Sequence, residues 1–247
     1  MNLLDFSGKK ILVDGCARGI GKSVAVLLSQ LGTRVVMMDV NEQLLSDSIK
    51  DLYGTGHMKV VCDLGELNSL GDVIKQITTE IGPLNGYVHC TGIRCYKPLN
   101  VLDYKTMQRV MDINLISFIE VVKALTRKGR FEPGLSIVAV SSISAEIGGA
   151  GVSGYAASKA AIDGLIRSLA QELYKKEIRI NSVQPGQTKT ETYDEVIGDA
   201  EDPVLKRQYL GLAEPKDVAN AIAFLLSDMS RMITGAALPL DGGYYTS

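Results

Sequence analysis

The chain has 247 residues, 46% of them hydrophobic and 22% charged, with a formal charge of −2. That is enough apolar material for one large packed domain, which excludes disorder as the main state. It shows no basic field of the kind that nucleic acid or an anionic lipid surface selects, so neither is expected as a partner. Four scattered cysteines, Cys16, Cys62, Cys90 and Cys95, make no C-x-x-C pair, and free thiols are expected. The opening MNLLDFSGKK has its lysines after the apolar patch, the wrong order for a secretory leader. No run approaches the roughly eighteen apolar residues of a membrane span. A cytoplasmic protein is expected.

In chain order, the apolar run at 10–13 (KILV) predicts a buried strand ending at Gly15. Over 19–31 the apolar residues Ile20, Val24, Leu27, Leu28 and Leu31 recur at helical spacing, and Gly32 stops the helix. A second strand at 34–40 is followed by a polar helix to about residue 53 and a third strand at 59–64. A helix over 68–81 then stops before Gly82-Pro83, and a fourth strand at 85–91 breaks at Gly92. The second half repeats the rhythm. A long helix over about 102–128 leads to a strand at 136–141, and a helix over about 154–176 leads to a strand at 178–183 closed by Pro185-Gly186. A polar loop over about 187–212 precedes a helix from Pro215 to about 228 and a short strand at 237–240. Such alternation, without linker or internal repeat, predicts an α/β fold: a doubly wound parallel sheet (Rossmann-like), one domain over 1–247 with helices on both faces. The loop 187–212 is the expected substrate loop. Ligands of such sheets bind beyond the carboxyl ends of the strands, so the chemistry belongs to the loops that follow them.

The first of these loops reads DGCARGIG over 14–21. Gly15, Gly19 and Gly21, with Arg18 and Ile20 between them, would let backbone N–H groups approach a pyrophosphate at a helix N-terminus. Asp39 ends the second strand 24 residues after Gly15, near the offset of about 20 at which a carboxylate meets the ribose hydroxyls of NAD. A strand-end turn residue is the plainer reading of the same aspartate. Its charge would repel a 2′-phosphate, whereas the Arg18 guanidinium could pair with one. With the glycine loop beside it, NAD is put ahead of NADP. Asp63 reads either as a turn carboxylate or as an acceptor for the adenine amino group.

Tyr155 and Lys159 (YAASK) stand at i and i+4 on one helical face. An ammonium beside a phenol favours the phenolate, which suits proton exchange with an alcohol near neutral pH. The preceding strand ends in Ser141-Ser142, where one hydroxyl could orient a carbonyl oxygen and the other would serve the turn.

With these pieces the chain resembles the short-chain dehydrogenase/reductase family over its whole length, and within it the 3-oxoacyl-[acyl-carrier-protein] reductase-like branch. The resemblance rests on Gly15, Gly19 and Gly21; Asp63; Asn114; Ser142, thirteen residues before Tyr155; Lys159; Pro185-Gly186; and Asp241-Gly242-Gly243. It implies that Tyr155 is the general acid/base, that Lys159 favours its phenolate and holds the nicotinamide ribose, that Ser142 binds the substrate oxygen, and that Asn114 holds a water in a relay to Lys159. It also implies cofactor contacts at Leu64, Gly92, Pro185, Gly186, Thr188 and Thr190.

The implied activity is an NAD(P)-dependent oxidoreductase between a secondary alcohol and a ketone. A 3-oxoacyl thioester is the first substrate to consider, with a sugar or another small carbonyl fitting the same motifs. The implied assembly is a homo-oligomer, dimer or tetramer. A non-catalytic dinucleotide-binding sensor or scaffold is the rival reading, supported by two departures from the family pattern. Asp14 stands where threonine or serine is usual, and His89-Cys90-Thr91-Gly92 where Asn-Asn-Ala-Gly is usual. Asp14 is expected to keep the first loop tied to the fourth strand by accepting a hydrogen bond near Cys90 and Thr91. His89 is expected to be a hydrogen-bonded strand-end residue. His57 is the one other histidine, so no metal site is expected.

Overall fold

Successive side chains of a strand point to opposite faces, and in this chain both faces are apolar. Ile11 and Val13 enter one core with Val35, Val88 and Val138, while Leu12 enters another with Val36, Tyr87 and Ile137. The computed structural model describes residues 4–191, 193 and 205–246. Its strands are β1 (Lys10–Asp14), β2 (Arg34–Asp39), β3 (Met58–Val61), β4 (Leu84–His89), β5 (Phe131–Val140), β6 (Arg179–Pro185) and β7 (Ala237–Leu240). They form one sheet in the order β3-β2-β1-β4-β5-β6-β7, every pair parallel.

The helices are α1 (Gly19–Gln30), α2 (Glu42–Ser48), α3 (Leu70–Ile81), α4 (Tyr104–Met111), α5 (Ser117–Leu125), α6 (Ser144–Ile147), α7 (Ser153–Leu173) and α8 (Pro215–Leu226). Val24 and Leu28 of α1 and Val218 and Ile222 of α8 cover the Val13 face. Ile74 of α3, Phe118 of α5 and Ile162 and Ile166 of α7 cover the Leu12 face. The doubly wound, two-layered α/β domain expected from the sequence is therefore present.

Most boundaries shift by one to three residues, and four larger departures have a local reason. β3 ends at Val61 rather than at 64, because Asp63 turns the chain by accepting Gly65 N at 2.8 Å. The expected helix over 102–128 is divided: Asp103 caps α4 by accepting Thr106 N at 2.8 Å, and a π-helical turn over Asp112–Ile116 separates α4 from α5. β5 begins five residues early at Phe131, with a register irregularity against β4 between Leu84 and Gly86. The short helix α6 opens where Ser142 Oγ accepts Ser144 N at 3.1 Å. Of the expected loop 187–212, residues 192 and 194–204 lie outside the described residues. Among the described residues no helix is long and apolar enough to cross a membrane.

Candidate active site

β1 and β4 are neighbours whose following helices lie on opposite faces of the sheet, so the crevice between their loops is the switch point where such sheets hold ligands. The chain leaves β1 through Gly15 at φ 59° and enters α1 at Gly19. A Cβ on Gly15 would lie 2.7 Å from Thr91 N, and one on Gly21 would overlap the Gly15 carbonyl. Arg18 occupies the N-cap position of α1 without a side-chain capping bond, which suits a helix end that receives an external anion. Asp39 is half-buried beside this loop; its Oδ2 accepts Ala17 N at 3.0 Å and its Oδ1 accepts Asn41 N at 3.0 Å. Asp63 is exposed in its turn, while the Leu64 side chain is buried in the core, so Leu64 can meet a nucleotide only through its backbone. Ile20 packs against the Val13-face core from the first turn of α1.

Asp14 faces His89 across β1 and β4, and Tyr87 stands two residues earlier on the same face. The carboxylate is fully buried. Its Oδ1 accepts Cys90 N at 3.0 Å and Thr91 N at 2.8 Å, the tie expected from the sequence. Its Oδ2 accepts the Tyr87 hydroxyl at 2.6 Å and faces His89 Nδ1 at 2.8 Å. His89 Nε2 in turn faces the Asn114 carbonyl at 3.3 Å. Burial pushes the Asp14 carboxyl up, but His89, Tyr87 and Thr91 together outweigh it and hold it below the ordinary carboxylate range. Burial, then the charge of Asp14, pushes the Cys90 thiol well above the usual thiol range, so it is held as an unreactive thiol.

On the other side of the crevice, Tyr155 sits in the first turn of α7 with Lys159 one turn on. Lys159 is buried, its ammonium donates to Val140 O at 2.7 Å, and it lies 5.9 Å from the centroid of the Tyr155 ring. A Cβ on Gly92 would approach the Lys159 ammonium to 3.0 Å, so the end of β4 borders the same space. Asn114 lies in the π turn; its Nδ2 donates to Ser158 Oγ at 2.9 Å, and Ser158 Oγ donates to Tyr155 O at 2.7 Å. Its Oδ1 accepts Ile93 N at 2.8 Å. The asparagine is thus tied through Ser158 to the Tyr155 backbone, while the lysine is anchored separately on the end of β5. Of the two serines, Ser141 is turned away, donating to Asp163 Oδ2 at 2.9 Å, and Ser142 stays at the strand end above α6.

Past β6, Pro185 and Gly186 lead to Thr188, which is buried with its hydroxyl donating to Gly186 O at 3.3 Å. Thr190 Oγ1 accepts Tyr193 N at 3.2 Å. The Gln208 amide clamps this stretch, accepting Gln187 N and donating to Gln187 O, each at 3.0 Å.

A family model described as enoyl-(acyl carrier protein) reductase matches residues 15–245. The chain belongs to the short-chain dehydrogenase/reductase family. It is 36% identical over 243 residues to the cis-4-hydroxycyclohexanecarboxylate dehydrogenase of Sinomonas cyclohexanicum, covering 97% of each chain. It is 30% identical over 243 residues to a 3-oxoacyl-[acyl-carrier-protein] reductase of Vibrio cholerae, covering 98% of this chain and 99% of that one. Among solved structures, a putative 2-deoxy-D-gluconate 3-dehydrogenase of Agrobacterium tumefaciens with bound NADP superposes with a TM-score of 0.89 at 27% identity, covering 100% of both chains. This short-chain dehydrogenase/reductase is an oxidoreductase of the CH–OH/carbonyl pair that uses a nicotinamide dinucleotide. Relatives named for dehydrogenase and reductase activities do not favour the rival reading as a non-catalytic scaffold.

The residues fit a dinucleotide. A Cβ at Gly15 or Gly21 would strike Thr91 or the loop's own backbone, so only glycine lets the chain turn this tightly at the N-terminal end of α1, which has no side-chain cap and leaves its N–H groups for an anion. Gly21→Ala is therefore expected to displace the Gly15 carbonyl and weaken dinucleotide binding by at least about tenfold, about 1.4 kcal/mol, read by cofactor fluorescence titration. Sequence reading missed three residues of the site: Asp163, Gln208 and Arg94, whose guanidinium carbon lies 5.7 Å from the centroid of the Tyr155 ring. Asp163, which also accepts Ser182 Oγ at 2.6 Å and Gln184 Nε2 at 2.9 Å, joins β5, β6 and α7. Its place four residues after Lys159 on one helical face was the available signal. Gln208 and Arg94 carried no signal, because their partners are distant in sequence or on an irregular loop.

Proposed function

We propose that the enzyme interconverts a small ketone and its secondary alcohol, with Tyr155 exchanging the proton at the substrate oxygen. The observation that carries this is the fixed Tyr155–Lys159 pair, with the ammonium locked by Val140 O beside the phenol ring. Ser142 holds the substrate oxygen at the end of β5. Lys159 stabilises the charge that develops on the phenol and binds the nicotinamide ribose. Asn114, braced by Ser158 and Ile93, supports the water that returns a proton to Lys159. The loop at Gly15, Arg18, Gly19, Ile20 and Gly21 cradles the pyrophosphate; Asp39 takes the adenosine ribose; Asp63 and the Leu64 backbone border the adenine side; Gly92, next to the Lys159 ammonium, borders the nicotinamide ribose; and Pro185, Gly186, Thr188 and Thr190 border the nicotinamide. When bound, the nicotinamide supplies or receives the hydride; the protein contributes position and proton transfer.

NAD is proposed ahead of NADP on the strength of Asp39, whose charge sits against the Ala17–Arg18 turn and would repel a 2′-phosphate. Asp39→Asn keeps one acceptor and removes the charge. The ratio of kcat/KM with NADP to that with NAD is expected to rise at least about tenfold. A ratio that does not move would remove Asp39 from cofactor selection. The activity itself is tested by absorbance with NADH and NADPH against ketones, keto-sugars and 3-oxoacyl thioesters. The relatives' names supply two substrate types for that panel: a ring alcohol bearing a carboxylate and an acyl thioester.

The same reading extends to a cytoplasmic homo-oligomer acting on a small molecule or acyl thioester and not on nucleic acid or a membrane. The net charge and four unpaired thiols are in keeping with it, and light scattering on the purified chain reads the assembly directly.

A further inference from the structure

The segment from Cys90 to Pro98 forms neither helix nor strand, yet its backbone is fixed on both sides of Arg94. Thr91 N is held by Asp14 Oδ1 at 2.8 Å, Ile93 N and O by the Asn114 amide at 2.8 and 3.1 Å, and Lys97 N by Gly151 O at 2.8 Å. Cys95 is buried, and the Lys97 ammonium is taken up by Asp103 Oδ2 at 2.8 Å and Thr106 Oγ1 at 2.7 Å. Arg94 is thereby carried to the mouth of the crevice. Its guanidinium carbon lies 5.7 Å from the centroid of the Tyr155 ring, and its Nη1 donates to the Tyr96 hydroxyl at 3.1 Å. Among the described residues it is paired with no carboxylate.

A surface arginine without a task is free to swing into solvent or to a neighbouring acid. This one is braced between two phenols over the ring that is proposed to exchange the substrate's proton. A guanidinium presents a planar fork of N–H donors that matches a carboxylate through two parallel bonds. With Lys97 already paired, a single unpaired cation suits a monoanionic carboxylate better than a phosphate dianion. We infer that Arg94 is a specificity-determining residue that receives a carboxylate of the substrate, so that the alcohol or ketone turned over is a hydroxy or oxo acid. The inference rests on the proposed function, since it places the carboxylate relative to Tyr155.

The first test is binding. The full chain saturated with NAD or NADP is titrated calorimetrically with cyclohexanecarboxylate, an acid with no hydroxyl to react, and with the neutral cyclohexanecarboxamide. The wild type is expected to bind the acid at least about tenfold more tightly than the amide. Arg94→Gln should abolish that preference, and Arg94→Lys, which keeps the charge but not the fork, should retain part of it. The second test compares kcat/KM for 4-oxocyclohexanecarboxylate and its methyl ester. The wild type should favour the acid by at least about tenfold, and Arg94→Gln should bring the ratio toward one through a higher KM for the acid. Acid binding unchanged in Arg94→Gln overturns the inference. So does an equal loss of kcat on acid and ester, the mark of a group that only braces Tyr155. Turnover of the ester but not the acid overturns it and leaves the oxidoreductase reading standing. Acid binding that depends on Arg94, without reduction of any ketone by either coenzyme, leaves the anion site standing and overturns the proposed function instead.

Discussion

Tyr155→Phe is expected to lower kcat/KM by about 10²- to 10⁴-fold, the usual worth of a positioned general acid or base. Dinucleotide affinity should stay within about twofold, because the substitution removes one hydroxyl and leaves the ring. That ring is nearly buried beside Lys159 and Arg94, and phenylalanine fills the same space. The loss therefore belongs to chemistry and not to folding, which thermal denaturation of the variant checks. Steady-state rates and cofactor titration on one preparation separate the two contributions. Turnover that survives within tenfold would remove Tyr155 from proton exchange and with it the proposed mechanism.

The second large effect concerns Asp14. Asp14→Ala removes the buried acceptor shared by the Tyr87 hydroxyl and the Cys90 and Thr91 N–H groups, and leaves the Tyr87 hydroxyl and His89 Nδ1 only each other. Leaving a buried donor without its acceptor costs about 1–3 kcal/mol per group, so the loss of Asp14 takes a large part of a typical stability of about 5–15 kcal/mol. Urea denaturation at pH 7 is expected to show that loss. Local repair is restricted to the Tyr87 hydroxyl and His89 Nδ1 pairing with each other at 3.2 Å, since Phe118 stacks on His89 with centroids 5.0 Å apart and covers the ring. The acid dependence has a defined sign. The folded carboxyl lies below its ordinary value of 3.8, so the stability that it supplies is complete above about that pH and is lost as pH falls through the folded value. Asp14→Asn should accordingly be less stable than the wild type at pH 7, with the gap closing below about pH 4. A gap that is constant across this range would show that the charge of Asp14 contributes nothing. The double variant Asp14→Thr, His89→Asn brings in residues usual in the family at both positions. It is expected to recover at least about 1 kcal/mol relative to the sum of the single changes, as contacting residues couple by this order.

The element order, the parallel two-faced sheet and the Tyr155–Lys159 pair were legible in the sequence because each depends on spacing along one segment. A four-residue step on a helix and an apolar run bounded by glycine need no knowledge of what lies opposite. Boundaries failed where a side chain turned the backbone. Asp63 ended β3 early, and the π turn at Asp112–Ile116 divided a helix whose apolar pattern runs through it. The tie from Asp14 to Cys90 and Thr91 was readable from the family pattern, but its other half was not.

What the sequence determined by itself was the fold class, the glycine loop and the placing of Tyr155 and Lys159 on one helical face. The tertiary structure decided which of them meet. The parallel register of β1 and β4 sets Asp14 opposite His89, and the π turn aims the Asn114 carbonyl at the same imidazole. The pinned loop sets Arg94 over Tyr155. Those contacts span tens of residues, so they follow from how strands pair and helices pack, and no local period records them.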